Sequence, residues 1–560
     1  MRREVSVVNK KFSSFPILFA LLALLIGTCA VVFPASAQAA PTSTGSITVS
    51  GTVASSYDAC QIFSANVSDG DNIAKVYSQI AWASAAARDA VLPVLHSAGM
   101  PNSQTTAQEA AEWLNADSHL TSALSAQFAR SLQSSGAVSV TLNAGTTAEL
   151  PCGYWLIVAD DDAIAEGEAG TAPIMVLVGG SPVTVKPKAA TPKVAKHVLE
   201  DSTAAWQKAA DATVADDLYW RLSATVPAGL SAYDTYAVQF VDAMSAGLDP
   251  SKVASSMRVY VAAGAEGGFD AVACEGGSAS STPAKGWTDI TSQCKVSVEG
   301  NTFTVRTGDL IAALGGADAF TAGARVVAVY NAPLASGCNH GIAKGNPNEV
   351  YLRYPRSPFA DQSGDAGFTR TPSDDATAYT WDLALTKRGS DGDKPLPGAV
   401  LSITDDRGRT LAADGTWDAE GKATVTTGED GRVTVSGVDS GKLEVRELKA
   451  PKGYAAFEGT RSVTVKAEGL DVDQVAAAKP KLTITAESPL RADSADGSTG
   501  SLEASLINTP TGTPPSTITG GFMPSTGDMA MYAAAAAAVA GAALLVVALL
   551  IKRGGGSHSE

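Results

Sequence analysis

The residues best placed to do chemistry are lysines set among apolar neighbours. Lys387 follows Leu383 and Leu385 at a spacing of two, so an extended strand turns all three to one face. A protonated lysine is no nucleophile, but burial depresses its pKa and frees the lone pair. A carboxyl group in the same apolar setting shifts the other way, stays protonated, and can polarise an amide carbonyl and relay protons. Other chemistries find little footing. The chain has five histidines, no metal-spaced cluster and no nucleophile elbow, so neither an enzyme nor a metal site is expected. Its six cysteines, at 29, 60, 152, 274, 294 and 338, form no Cys-x-x-Cys pair, which argues against zinc and redox centres and leaves no cofactor implied.

The elements that would position such lysines are mostly strands. At 560 residues the chain exceeds a single core, and three or so folded domains are expected. Its 53 glycines, with many Ser, Thr, Val and Ala and few aromatic residues, suit short strands and turns. A net charge of -16 repels a phosphate backbone, so nucleic acid is not an expected partner. Alternation from Gly45 to Val53 marks a first strand, and Ala110, Trp113, Leu114, Leu120, Leu124, Phe128 and Leu132 recur at helical spacing, predicting one or two helices over one side of the first domain. Strands return at 138–142, 153–158, 173–178 and 183–188. The apolar run 326–330 reads as a buried strand, and residues 361–378 are polar and turn-rich, reading as a linker.

The two ends read as addresses. Arg2, Arg3, Lys10 and Lys11 precede an apolar run from Phe15 to Phe33 that ends in Ala35-Ser36-Ala37 and Gln38-Ala39-Ala40, the pattern of a cleaved secretory signal over residues 1–40. Cys29 lies within it, and Thr28 before it does not suit a lipid-anchoring box. Residues 529–551 are apolar and long enough to span a bilayer, and Lys552-Arg553 hold the end, 552–560, in the cytoplasm. Outside the cell the remaining cysteines would tend to pair, Cys60 with Cys152 and Cys274 with Cys294, leaving Cys338 over; five buried thiols is the open alternative, since spacing does not establish disulfide geometry.

Met523-Pro524-Ser525-Thr526-Gly527, just before the apolar segment, resembles the Leu-Pro-x-Thr-Gly sorting signal of Gram-positive cell-wall proteins, with Met for Leu. The resemblance implies that a sortase cysteine attacks the carbonyl of Thr526, Gly527 leaves with the tail, and an amine resolves the thioester. The membrane helix is then a temporary tether that raises the effective concentration of the motif. Val183-Thr184-Val185-Lys186-Pro187-Lys188 resembles the pilin motif of backbone pilins, with Lys186 where Tyr is usual. It implies that Lys188 accepts Thr526 of a neighbouring subunit, with Lys186 and Lys193 as further candidates.

Residues 190–358 resemble the middle isopeptide-bonded domain of fimbrial subunits, on Trp206, Asp211 and the strands around 218–227, 236–248, 326–330 and 345–352. The segment 443–454 resembles the E-box of collagen-adhesin B-type pilin domains, keeping Glu447 and Ala-Pro-x-Gly-Tyr, with Leu443 for Tyr and Leu448 for Thr. In these families a Lys on the first strand condenses with an Asn on the last, assisted by a buried acid. The resemblance assigns Lys387, Asn508 and Glu447 to the third domain, and Lys196, Asn348 and Asp242 to the second, where Asn346 competes with Asn348 and Asp211 with Asp242. The first domain offers no such trio.

These features together resemble a sortase-assembled backbone pilin: a mainly β chain of tandem Ig-like, collagen-adhesin-type β-sandwiches. The expected order is a first domain over 41–188 with added helices, a middle domain over 189–360, a linker over 361–378, a third domain over 379–510 and a linker over 511–522. The sorting motif 523–527 and the membrane helix follow. The implied partners are pilin-class and housekeeping sortases, identical subunits, minor pilins and peptidoglycan. The implied place is the wall-anchored surface, after a precursor stage in the plasma membrane. The alternative is a wall-anchored adhesin or basal pilin that binds a host ligand.

Overall fold

The computed structural model describes residues 43–512, apart from 71–74, 117–118, 188–189, 215, 265–267, 270–271 and 276–277, and leaves the side chains of 273–281 aside. The expected signal, sorting motif and membrane helix fall outside those residues. Among the described residues no helix is long and apolar enough to cross a membrane.

The chain is mainly β, its sheets packed face to face around separate apolar cores. Near the start, Ser56–Asp69 lies at the heart of a five-stranded sheet with Lys75–Trp82, Gly153–Ala159, Ile174–Val178 and Ser139–Asn143. Both faces of this sheet are covered, which explains the unbroken apolar run at 154–158. Trp155 and Ile157 meet a small sheet built on Thr44–Val49, whereas Leu156 and Ile62 meet three helices, Ala85–Ser97, Ala107–Asn115 and Ser122–Ser135. The second helix begins with a full capping box, in which Thr106 and Glu109 satisfy each other's free backbone N–H groups. The small sheet orders Thr147–Pro151, Thr44–Val49 and Val183–Val185, the last parallel to Thr44–Val49 and lying at the edge.

The middle unit is a sandwich. One sheet orders Ala205–Gln207, Lys193–Glu200, Tyr219–Val226, Ala324–Asn331, Arg258–Ala263 and Thr288–Asp289. The facing sheet orders Ala209–Asp211, Asp374–Tyr379, Asn346–Pro355, Gln239–Met244, Thr302–Arg306 and Lys295–Glu299, with Phe368–Arg370 beside Asn346–Pro355. The run at 326–330 is buried on both faces: Val326, Ala328 and Tyr330 enter the main core, and Val327 and Val329 a smaller one with Tyr260 and Val272.

The stretch 361–378 is therefore no plain linker. It supplies two strands of this sandwich, and Asp374–Tyr379 runs antiparallel to Asn346–Pro355 and parallel to Ala209–Asp211. Its inward positions, Ala376 and Ala378, are fully buried but small, so the strand carries little apolar signal.

The third unit packs a sheet of Arg432–Val438, Trp381–Gly389, Ser501–Asn508 and Leu490–Asp496 on a second sheet in which Val400–Thr404, Gly441–Lys449 and Thr460–Glu468 lie side by side and Lys481–Ala486 forms an edge. Its first and last strands, Trp381–Gly389 and Ser501–Asn508, are parallel neighbours.

The expected cysteine pairs are not formed: Cys60, Cys152, Cys294 and Cys338 are free thiols. Cys60 aligns with Leu156, whereas the carbonyl of Cys152 accepts from the Ala65 amide. Four residues of strand separate the two, about 13 Å at ~3.3 Å per residue, against the ~7 Å limit for bridged α-carbons. The Cys294 thiol donates to the Ile290 carbonyl at 3.3 Å, and the side chain of Cys274 lies outside the described residues.

Candidate functional site

Strand register brings the lysine and asparagine of the third unit together. Lys387 pairs with Leu506 and Gly389 with Asn508, so Asn508 stands one inward position along from Lys387 on the adjoining strand. Leu383, Leu385 and Lys387 share the buried face, as the period-two reading expects, and Lys387 is 1% exposed. Glu447 reaches the same point from the facing sheet, behind Leu443 and Val445 on the inner side of Gly441–Lys449. The Asn508 amide donates to both carboxyl oxygens of Glu447 at 2.9 Å, and Lys387 Nζ lies 3.5 Å from Glu447 Oε1 and 3.2 Å from the Leu506 carbonyl it donates to. The Phe457 amide also donates to Glu447, at 3.1 Å.

Burial pushes the Lys387 ammonium down to about 8 against the opposing pull of Glu447, which brings the neutral, nucleophilic amine within physiological range. Asn508 Oδ1 is buried without a hydrogen-bond partner. Turning the amide by half a rotation places that oxygen where Nδ2 now meets Glu447, against the carboxyl group. Of the two departures from the E-box pattern, Leu443 is buried in the core and Leu448 is exposed.

In the middle unit the lysine and asparagine face each other across the sandwich instead of lying on adjoining strands of one sheet. Lys196 points inward from Lys193–Glu200, in step with buried Val198. On the facing sheet Met244 pairs with Asn348 and Asp242 with Val350, so Asp242 and Asn348 are diagonal neighbours on the inner face. All three side chains are fully buried. Lys196 Nζ donates to Asp242 Oδ2 and, at 3.0 Å, to the Tyr330 hydroxyl. The same hydroxyl donates to Asp242 at 3.0 Å and accepts from the Asn348 amide at 2.8 Å. Burial lowers Lys196 to about 8, opposed by Asp242, and raises Asp242 above the usual carboxylate range, opposed by Lys196. Both shifts favour the neutral pair, since a desolvated ion pair costs more than it returns.

The competitors named from sequence are occupied elsewhere. Asn346 Oδ1 accepts from the Asn339 amide at 2.9 Å, and its Nδ2 donates to the carbonyls of Asn339 and Ala378 at 2.9 and 3.2 Å. It braces a turn against Gly247, where a Cβ would sit 2.0 Å from Asn346 Oδ1. Asp211 faces the third unit, accepting from Trp381 Nε1 at 2.7 Å and from the amide and hydroxyl of Ser440 at 2.9 and 2.6 Å. Tyr330 went unassigned in the sequence because the end of an apolar run reads as packing; the one signal was a hydroxyl at an inward position of that run.

Lys188 lies outside the described residues, as do Met523, Pro524, Ser525, Thr526 and Gly527. Lys186 is exposed just past the edge strand Val183–Val185, and Lys193 is exposed at the start of the middle unit, its amide donating to Thr225 Oγ1 at 3.1 Å. Among the described residues no group of three or more His, Cys, Asp or Glu side chains is arranged to hold a metal ion.

Residues 382–479 match the SpaA family, described as a prealbumin-like fold domain, which accounts for most of the third unit. Among individual proteins, the chain is similar to the trypsin-resistant surface T6 protein of Streptococcus pyogenes serotype M6, 30% identical over 129 residues. That match covers 22% of this chain and 22% of the relative, so the chain spans about a fifth of that protein's length. Among solved structures, the T6 backbone pilin of the same serotype superposes with a TM-score of 0.45 and 17% identity, over 85% of this chain and 100% of that one. The full-length major pilin SpaD of Corynebacterium diphtheriae superposes with a TM-score of 0.40 and 16% identity, over 85% and 100%.

Proposed function

We propose that this chain is a structural subunit of a covalent surface pilus, whose middle and third units each close an internal Lys–Asn isopeptide bond without an external enzyme. The observation that carries this reading is the pair of buried sites, Lys387–Asn508–Glu447 and Lys196–Asn348–Asp242, each with an amine depressed to about 8 beside an asparagine and an acid. In each, the neutral amine attacks the asparagine Cγ, the Cγ–Nδ2 bond breaks, and one proton passes from Nζ to the departing ammonia. The product amide does not ionise, so the lysine nitrogen no longer carries a charge that burial would penalise.

Between subunits, Thr526 is joined by a pilin-class sortase to Lys188 of the next copy, and a housekeeping sortase fixes the finished polymer, with any minor pilins, to peptidoglycan. Support comes from the sorting-signal and pilin-motif resemblances and from the edge strand Val183–Val185, which ends three residues before Lys188 in the sequence. Mass spectrometry of cell-wall extracts tests it. A Thr526 to Lys188 cross-linked peptide with a high-mass ladder that Lys188→Ala abolishes is the expected result. A monomer on peptidoglycan, indifferent to Lys188→Ala, would instead establish the anchored adhesin.

A further inference from the structure

The two sites differ in how the acid reaches the asparagine. In the third unit both Glu447 oxygens touch the Asn508 amide directly, at 2.9 Å. In the middle unit the acid is one methylene shorter, and the contacts of Asp242 are with Lys196 and Tyr330. The side-chain hydrogen bonds that link Asp242 to Asn348 meet at the Tyr330 hydroxyl, 3.0 Å from one and 2.8 Å from the other. We propose that Tyr330 is a catalytic residue of the middle unit, the proton relay that lets an aspartate do what a glutamate does unaided in the third. This rests on the isopeptide reading given above.

The proton account closes. Lys196 enters as –NH2 and leaves as an amide N–H, losing one proton; the Asn348 –NH2 leaves as NH3, gaining one. As the Nζ–Cγ bond forms and the Cγ–Nδ2 bond breaks, the Tyr330 hydroxyl gives its proton to Nδ2 and takes one from neutral Asp242, which recovers one from Nζ. Tyrosine and aspartate both end as they began. The hydroxyl is suited to carrying a proton without keeping a charge, because burial, then the nearby Asp242, holds it far from ionising. Its ring is fixed edge-to-face on Phe303, with centroids 4.7 Å apart, so the hydroxyl is aimed before reaction.

The test is the time course of intact mass for residues 41–512, which contain every described sheet and core. Tyr330→Phe keeps the ring and its packing on Phe303. It is expected to slow the Lys196–Asn348 linkage at least ~100-fold, the scale of a lost proton-transfer group, while the Lys387–Asn508 linkage in the same chain forms at its usual rate. Adding Asp242→Glu to Tyr330→Phe lets the acid reach the amide directly, and is expected to restore the bond. Linkage by Tyr330→Phe at the wild-type rate would overturn the relay, as would a slow variant that Asp242→Glu does not rescue, since the hydroxyl would then hold its neighbours in place without carrying the proton. A wild-type chain without the Lys196–Asn348 bond is a different outcome, and it refutes the isopeptide reading itself.

Discussion

At the scale of the residue, each site depends on a buried lysine whose pKa is pushed down to about 8 beside a carboxyl group and an asparagine. Glu447→Gln keeps the shape of the side chain but removes its acid, so the Lys387–Asn508 bond should form at least ~100-fold more slowly, read as a retained ammonia in the mass of the third unit. For pH, Lys387 sits at about 8 when folded, below its ordinary 10.5. Unlinked chain should therefore close this bond faster as pH rises through about 8 and level off above. In Asn508→Ala, which stays unlinked, the unfolded chain holds a proton between about 8 and 10.5 that the folded chain lacks, so stability should rise with pH across that window; denaturant unfolding at several pH values measures it. Lys387 was legible in the sequence because Leu383 and Leu385 mark its face. Asn348 was not separable from Asn346, since residues two apart on a strand face the same way, and only the backbone partners of Asn346 distinguish them.

At the scale of the element, register does the positioning. Gly389 opposite Asn508 and Met244 opposite Asn348 set the sites, and neither pairing can be read from one strand alone. The helices Ala107–Asn115 and Ser122–Ser135 were legible from periodicity, the buried strand at 326–330 from its apolar run and the sandwich class from the family resemblance, whereas the helix Ala85–Ser97 was not foreseen. The strands within 361–378 were not, because Ala376 and Ala378 are too small to show an apolar face. The cysteine pairs failed for a related reason: nothing in their spacing reveals that Cys60 and Cys152 lie at different heights on paired strands. Alkylation of unreduced, denatured chain should label both; protection of the pair would contradict the register. Asp211→Ala gives a further check. It strips partners from Trp381 Nε1 and the Ser440 amide and should cost about 1–3 kcal/mol, seen as a lower unfolding midpoint, while leaving the Lys196–Asn348 bond intact. Loss of that bond would return Asp211 to the site.

At the scale of the molecule, the units are joined by specific contacts. Between the middle and third units, Gly341 and Gly500 approach so closely that a Cβ on Gly341 would lie 2.4 Å from the Gly500 amide, and Arg407 pairs with Asp216 at 2.7 Å. The same seam holds Glu200, pushed up to about 7 by burial and by Asp211, and Asp439, raised well above its ordinary value by burial and by Asp211. A raised carboxyl binds its proton more tightly when folded, so its contribution is complete below about 4.5 and is lost as pH climbs through about 7. Wild type should therefore gain stability over Glu200→Gln as pH falls from 7 towards 5, by thermal unfolding; parallel curves would remove Glu200 from that role. Within the third unit, a bond from Lys387 on the first strand to Asn508 on the last would carry load through covalent links where strand hydrogen bonds would otherwise yield.

The intact mass of residues 41–512 tests the two internal bonds most directly. Each condensation releases ammonia, about 17 Da by the stoichiometry of the covalent change. The expected mass is two ammonia losses below that of the sequence, with cross-linked peptides joining Lys196 to Asn348 and Lys387 to Asn508. A chain weighing what its sequence weighs, with all four residues recovered unlinked, would contradict the account.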